Sequence, residues 1–144
     1  MTETKSKKQN QIKTIVGIAV GFLVMSLIQQ FLLKAPSFDK QMMQAASEIN
    51  KTCPIMVDKE TRLDNSIALP DNIFQYNYTL VNMEKKNIDI SELEEYVRPI
   101  ILNTIKTNPD LKSFRDHETT MSYNYKDKNS EHLFKLSFTA EQYK

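Results

Sequence analysis

The stretch from Asn50 to Asp64 holds the densest set of reactive side chains in the chain: Cys53, Asp58, Glu60, Arg62 and Asp64. Cys53 is the only thiol. A thiolate nucleophile needs a base or a cation beside it, and no spacing ties His117 or His132 to Cys53. The plainer role is a small buried side chain at a helix end. An odd cysteine in an oxidising compartment also suits an intermolecular bridge. In an extended strand residues 60, 62 and 64 share one side. Arg62 there suits a bidentate pair with a carboxylate, either from its own acidic neighbours or from a partner. Asp116-His117-Glu118 and Glu131-His132 have metal-ligating types, but no His-Glu-x-x-His and no closely spaced ligand pair on a helix accompanies them. No metal site and no catalytic residue is therefore assigned. Tyr76, Tyr78, Tyr123 and Tyr125 recur with a period of two. Such a stripe either presents a stacking surface to sugar or peptide or fills a core, and the core is the commoner outcome. The candidate binding residues are Cys53, Asp58, Arg62, Asp64, Tyr76 and Tyr78.

These residues sit in a mildly acidic region. Residues 1–13 carry four lysines against one glutamate, whereas residues 38–144 carry 14 Lys and Arg against 17 Asp and Glu, which the net charge of +1 conceals. A domain without a basic field is a poor ligand for a phosphate backbone, so nucleic-acid binding is disfavoured. With 2 glycines in the chain, a Gly-rich phosphate loop is excluded. No cofactor is expected.

The elements that must position the residues follow from periodicity. Ser37 or Asp39 caps a helix whose stripe is Met42, Ala45, Ala46 and Ile49, closing before Cys53-Pro54. Arg62 to Leu69 has strand character, Pro70-Asp71-Asn72 has turn chemistry, and Ile73 to Val81 alternates cleanly. Residues 82–89 read as a loop. Ser91-Glu92-Leu93-Glu94 fits a capping box, and a helix follows to about Lys106 with Leu93, Tyr96, Val97, Ile100, Ile101 and Ile105 inward. Pro99 should kink it. A second hairpin runs from Thr119 to Lys126, turns at Asp127-Lys128-Asn129-Ser130, and returns from His132 to Thr139. The order α-β-β-α-β-β predicts an α+β fold: a two-layer sandwich with a four-stranded antiparallel sheet backed by two helices, over residues 37–144. Tyr76-Asn77-Tyr78 and Tyr123-Asn124-Tyr125 match, but from the second strand of one unit and the first of the other, so they argue only weakly for duplication.

Ahead of this domain, Thr14 to Leu33 contains no charged residue. About 20 residues at ~1.5 Å each cross a ~30 Å hydrocarbon core. One transmembrane helix is therefore predicted over residues 14–34, after a basic tail of residues 1–13 that the positive-inside rule keeps in the cytosol. The exit, Leu33-Lys34-Ala35-Pro36, lacks a small-x-small pair, which favours an uncleaved anchor over a signal peptide. Gly17 and Gly21 form a Gly-x-x-x-Gly pair of the kind that supports a helix homodimer.

The segment Asn50-Lys51-Thr52-Cys53-Pro54-Ile55-Met56-Val57-Asp58-Lys59-Glu60-Thr61-Arg62-Leu63-Asp64, with Phe74-Gln75-Tyr76-Asn77-Tyr78-Thr79, resembles small bacterial envelope proteins with an N-terminal membrane or lipid anchor. That resemblance implies the layout and a bacterial origin, and brings no activity. The expected function is a membrane-anchored, single-pass binding or assembly accessory of the cell envelope. Its domain faces the periplasm or the outside, and its protein partner lies in or near the membrane. The alternative is a small envelope enzyme with Cys53 as nucleophile and a histidine base.

Overall fold

The computed structural model describes residues 37–144. Helix α1 (Phe38–Thr52) comes first. A two-residue strand β1 (Ile55–Met56) and the long strands β2 (Thr61–Leu69) and β3 (Ile73–Leu80) follow. Helix α2 (Ile90–Thr107) and a short helix α3 (Lys112–Asp116) lead to β4 (Thr120–Asp127) and β5 (His132–Phe138). Helix α4 (Ala140–Tyr143) follows β5.

The five strands form one sheet in the order β1-β2-β3-β4-β5. All neighbours are antiparallel except β3 and β4, which run parallel. The expected four-stranded antiparallel sheet is thus corrected to a five-stranded mixed one backed by helices on one face. The reason lies in α2. Its 18 residues span about 27 Å at ~1.5 Å each, close to the ~26 Å of an eight-residue strand. The helix therefore carries the chain back to the end where β3 began, and β4 must then run alongside β3 in the same direction.

The Tyr-Asn-Tyr triplets prove to be neighbours. Tyr76, Asn77 and Tyr78 stand opposite Tyr123, Asn124 and Tyr125 in the parallel ladder. Tyr76 stacks on Tyr123 with ring centroids 5.3 Å apart, and Tyr78 on Tyr125 at 5.2 Å. Together with Leu63, Phe74, Leu80, Met121, Leu133, Phe134, Leu136 and Phe138 they make the sheet's contribution to the core. Met42, Ala46 and Ile49 of α1 and Leu93, Val97, Ile101 and Ile105 of α2 close it from above. Burying each such large side chain contributes roughly 1.5–3 kcal/mol.

Local signals differ from expectation in three places. The first cap of α2 is Asp89, whose carboxylate accepts from the Glu92 N–H at 3.0 Å, so the helix starts ahead of the Ser91 box. The helix runs on through Pro99. A short 3-10 turn, Lys85–Asn87, lies inside the expected loop. No helix among the described residues is long and apolar enough to cross a membrane. The anchor expected over 14–34 and the Gly17/Gly21 pair lie outside the described residues.

Candidate functional site

The helices cover one face of the sheet and leave the other face open. Alternation along the strands puts Arg62, Asn65 and Ile67 of β2, Gln75, Asn77 and Thr79 of β3, Ser122, Asn124 and Lys126 of β4, and Lys135 and Ser137 of β5 on the open side. The charged cluster of this face gathers on Asp64, which lies at the one irregular step of the β2–β3 ladder, between Leu63 and Asn65. Its carboxylate accepts from Arg62 Nε at 2.6 Å and Thr79 Oγ1 at 2.6 Å, and Lys126 Nζ lies 3.2 Å away. Partial burial works against its charged form, but the hydrogen bonds from Thr79, Arg62 and Lys126 outweigh it and hold the carboxyl below its usual range. The Arg62 contact is through Nε alone, so the expected bidentate pair is replaced by a three-donor cluster with Asp64 as the shared acceptor.

Beside this cluster an amide row crosses three strands. Asn77 Nδ2 donates to Asn65 Oδ1 at 2.7 Å, and Asn77 Oδ1 accepts from Asn124 Nδ2 at 3.1 Å and Gln75 Nε2 at 2.9 Å. A further rung joins the hydroxyls of Ser122 and Ser137 at 2.8 Å. The open face is therefore cross-linked by side chains and pre-ordered.

The other candidates lie elsewhere. Asp58 shapes the β1–β2 turn, where Oδ1 accepts from the N–H groups of Glu60 at 2.6 Å and Thr61 at 2.8 Å. Its Oδ2 is buried without a hydrogen-bond partner among the described residues. Cys53 is half-buried at the C-terminal end of α1, before a cis Cys53–Pro54 bond. Burial, and then the nearby charge of Asp64, push its thiol up. A thiolate nucleophile needs the opposite shift. His117 stacks face to face on Phe38 with centroids 3.8 Å apart, its Nδ1 hydrogen-bonded to the Ser113 carbonyl at 2.8 Å. Tyr76 and Tyr78 lie in the core, 1% and 7% exposed, and form no surface for a ligand to stack on. Burial pushes both phenols far above their usual range. Among the described residues no group of three or more His, Cys, Asp or Glu is placed to hold a metal ion.

So the structure brings Arg62 and Asp64 together and separates them from Tyr76 and Tyr78, which face the opposite side of the sheet. Thr79 and Lys126 are invisible from the segment 50–64, because they come from β3 and β4. The polar half of the alternation, Gln75-Asn77-Thr79, was the available signal for this face.

Residues 37–134 match the model of a family described as a domain of unknown function, DUF8479. The chain belongs to that family. The DUF8479 match takes in the whole Asp64 cluster and the amide row. No curated protein matches the sequence. Among solved structures, the DUF8479 fold is similar to a Pseudomonas aeruginosa protein described as secreted. The TM-score is 0.59 at 10% identity, over 77% of this chain and 100% of that one. It is also similar to two type II secretion system pilotins. The pilotin of Vibrio vulnificus gives a TM-score of 0.57 at 9% identity, over 74% of this chain and 91% of its own. That of Vibrio cholerae gives 0.54 at 10%, over 72% and 90%. At these identities the likeness is one of fold.

Proposed function

We propose that this DUF8479 protein is an accessory of envelope assembly, outside the cytosol, that works by docking a protein partner rather than by catalysis. The observation that carries the reading is the fold: two of its solved neighbours are type II secretion system pilotins that share nearly their full length with it. The site chemistry points the same way. The thiol is pushed toward its protonated form, and the open face offers ordered amides, hydroxyls and paired charges suited to a polar interface. In this reading the uncharged run of residues 14–33 keeps the domain near the membrane, where a partner in the envelope can reach it.

The test is a deletion strain followed through its envelope. Loss of the protein should lower the assembly or correct placement of at least one envelope complex, and re-expression should restore it. Protease added to spheroplasts should trim residues 37–144. A domain protected from protease, or an envelope whose complexes are all unchanged in the deletion, overturns the reading. Cys53→Ser should complement fully; failure with a normally folded variant would favour the thiol enzyme instead.

A further inference from the structure

The two edges of the sheet are finished differently. On the β2 side, β1 pairs with Arg62 and Leu63. Further along, Asn50 of α1 occupies both main-chain groups of Ser66: its Oδ1 accepts from the Ser66 N–H at 2.7 Å, and its Nδ2 donates to the Ser66 carbonyl at 2.8 Å. One side-chain amide thus stands in for a missing strand.

The β5 edge has no such cover. Two bonds orient its main chain. The Thr120 N–H donates toward β3, to the Asn72 carbonyl at 3.0 Å, and the Asp127 N–H donates toward β5, to the Glu131 carbonyl at 2.9 Å. Main-chain groups of successive strand residues point to opposite sides. Met121, Tyr123 and Tyr125 therefore serve β5, and their partners Phe138, Leu136 and Phe134 turn their own N–H and C=O groups inward. Lys135 and Ser137 must aim theirs outward. Their side chains lie on the open face and are exposed, whereas Leu136 and Phe138 turn theirs into the core, 0% and 1% exposed. The following donor, the Thr139 N–H, is taken by Gln142 Oε1 at 2.9 Å. Among the described residues nothing bonds the outward groups of Lys135 and Ser137.

Cations border this edge. Lys135 stands on the open face without an ion pair among the described residues. On the helix side Arg98 lies over the Phe138 ring, 5.8 Å from its centroid, and shares its charge with Glu94. We propose that the β5 edge accepts a strand from a different polypeptide, with an acidic residue opposite Lys135. The added strand would bond the N–H and C=O groups of Lys135 and Ser137, extending the sheet. A second copy paired antiparallel about Lys135 complements the edge poorly: β5 itself, His132–Phe138, carries no acidic residue, so that register sets Lys135 against Lys135. This inference rests on the docking reading above and narrows it to one edge and one chemistry.

The experiment places a photocrosslinking amino acid at position 137 of the full-length protein in cells, with position 75 in the middle of the open face as comparison. Cross-linked peptides are then sequenced by mass spectrometry. Position 137 should capture an extended, acidic segment of one envelope polypeptide. Lys135→Glu should cut that capture by about tenfold, the effect of turning an opposite-charge pair into a like-charge one. A compensating acid-to-lysine change in the captured segment should restore it. Lys135→Pro, which removes one outward donor and no ladder bond, should abolish capture. Circular dichroism melts of both variants keep loss of fold apart from loss of docking. Capture of a second copy, of lipid, or of a partner from position 75 alone overturns the proposal, as does capture that survives Lys135→Pro. A deletion phenotype that Lys135→Pro fails to reproduce refutes the edge and leaves the docking reading standing. Absence of any deletion phenotype refutes the docking reading itself.

Discussion

Tyr76 is buried among aromatic rings with its hydroxyl unpaired among the described residues. An unsatisfied buried hydroxyl costs stability, so Tyr76→Phe should raise the unfolding free energy by about 1 kcal/mol. Urea denaturation measures this, and a loss of stability would show that the hydroxyl is bonded after all. Asp64 gives the opposite kind of prediction. Its carboxyl titrates below its unfolded value, so the stability it contributes is present above the unfolded pKa. That stability is lost as pH falls through the lower folded value. Asp64→Asn should flatten the acid limb of stability against pH between neutral pH and about pH 3, read from melts across that range. At this scale the sequence showed the ingredients but not the company. Arg62 and Asp64 were legible because two residues apart on a strand is a local fact. Thr79 and Lys126 were not, since register between distant strands decides which side chains meet. The tyrosine stripe was legible as a buried face for the same local reason.

Asn50 shows what one residue does for an element. Its amide satisfies Ser66 on both sides, and Asn50→Ala should cost about 1–2 kcal/mol in chemical denaturation. It should also uncover the β2 edge, so the variant should self-associate at high concentration, which light scattering reports. Long elements were readable because their periods are strong: α1, α2 and the four long strands fall within a residue or two of where periodicity puts them, although Asp89 and not Ser91 caps α2. Asp71 and Asn72 adopt positive φ of 62° and 58°, and the Pro70-Asp71-Asn72 signal is therefore also a conformational requirement. The elements that escaped are short. β1 has two residues, too few to alternate, and is set by its register with β2 and by Ile55 packing against the core. Helix α3 has five, too few for a periodic signal, and is fixed from outside: Arg115 Nη1 donates to the Ile105 and Asn108 carbonyls at 2.6 and 2.7 Å. The parallel joint was missed because hairpin patterns speak for strands within a hairpin, and nothing local states how two hairpins lie side by side.

Across the whole molecule the two hairpins, α1 and α2 share one core, in which Phe74, Leu80, Ile101, Ile105 and Leu136 are all within 1% of full burial. Residues 37–144 expressed alone should therefore be soluble and melt in a single transition by circular dichroism. A broad or split transition would show that the domain needs a partner or its N-terminal segment to cohere. Ile101→Ala, at the centre of that core, should lower stability by roughly 2–5 kcal/mol. An α+β sandwich over 37–144 was legible from the order of elements. The proposed docking role was not, because the features that support it belong to the assembled surface: an edge left open, an amide row across three strands, and a fold shared with proteins about one-tenth identical.

The joint between β3 and β4 governs how this chain reaches its native state. Each hairpin closes over a few residues, whereas Asn77 and Asn124 meet across 47. Long-range contacts of this kind form against loop-closure entropy and slow the final step. The two halves can thus each be partly built before the central seam zips, with the tyrosine pairs stacking only at that moment. Until then both β3 and β4 expose hydrogen-bonding edges and bare aromatic rings to neighbouring chains in the same compartment. The seam that stacks the two tyrosine pairs is also the place where an unfinished copy is most vulnerable to pairing with the wrong strand.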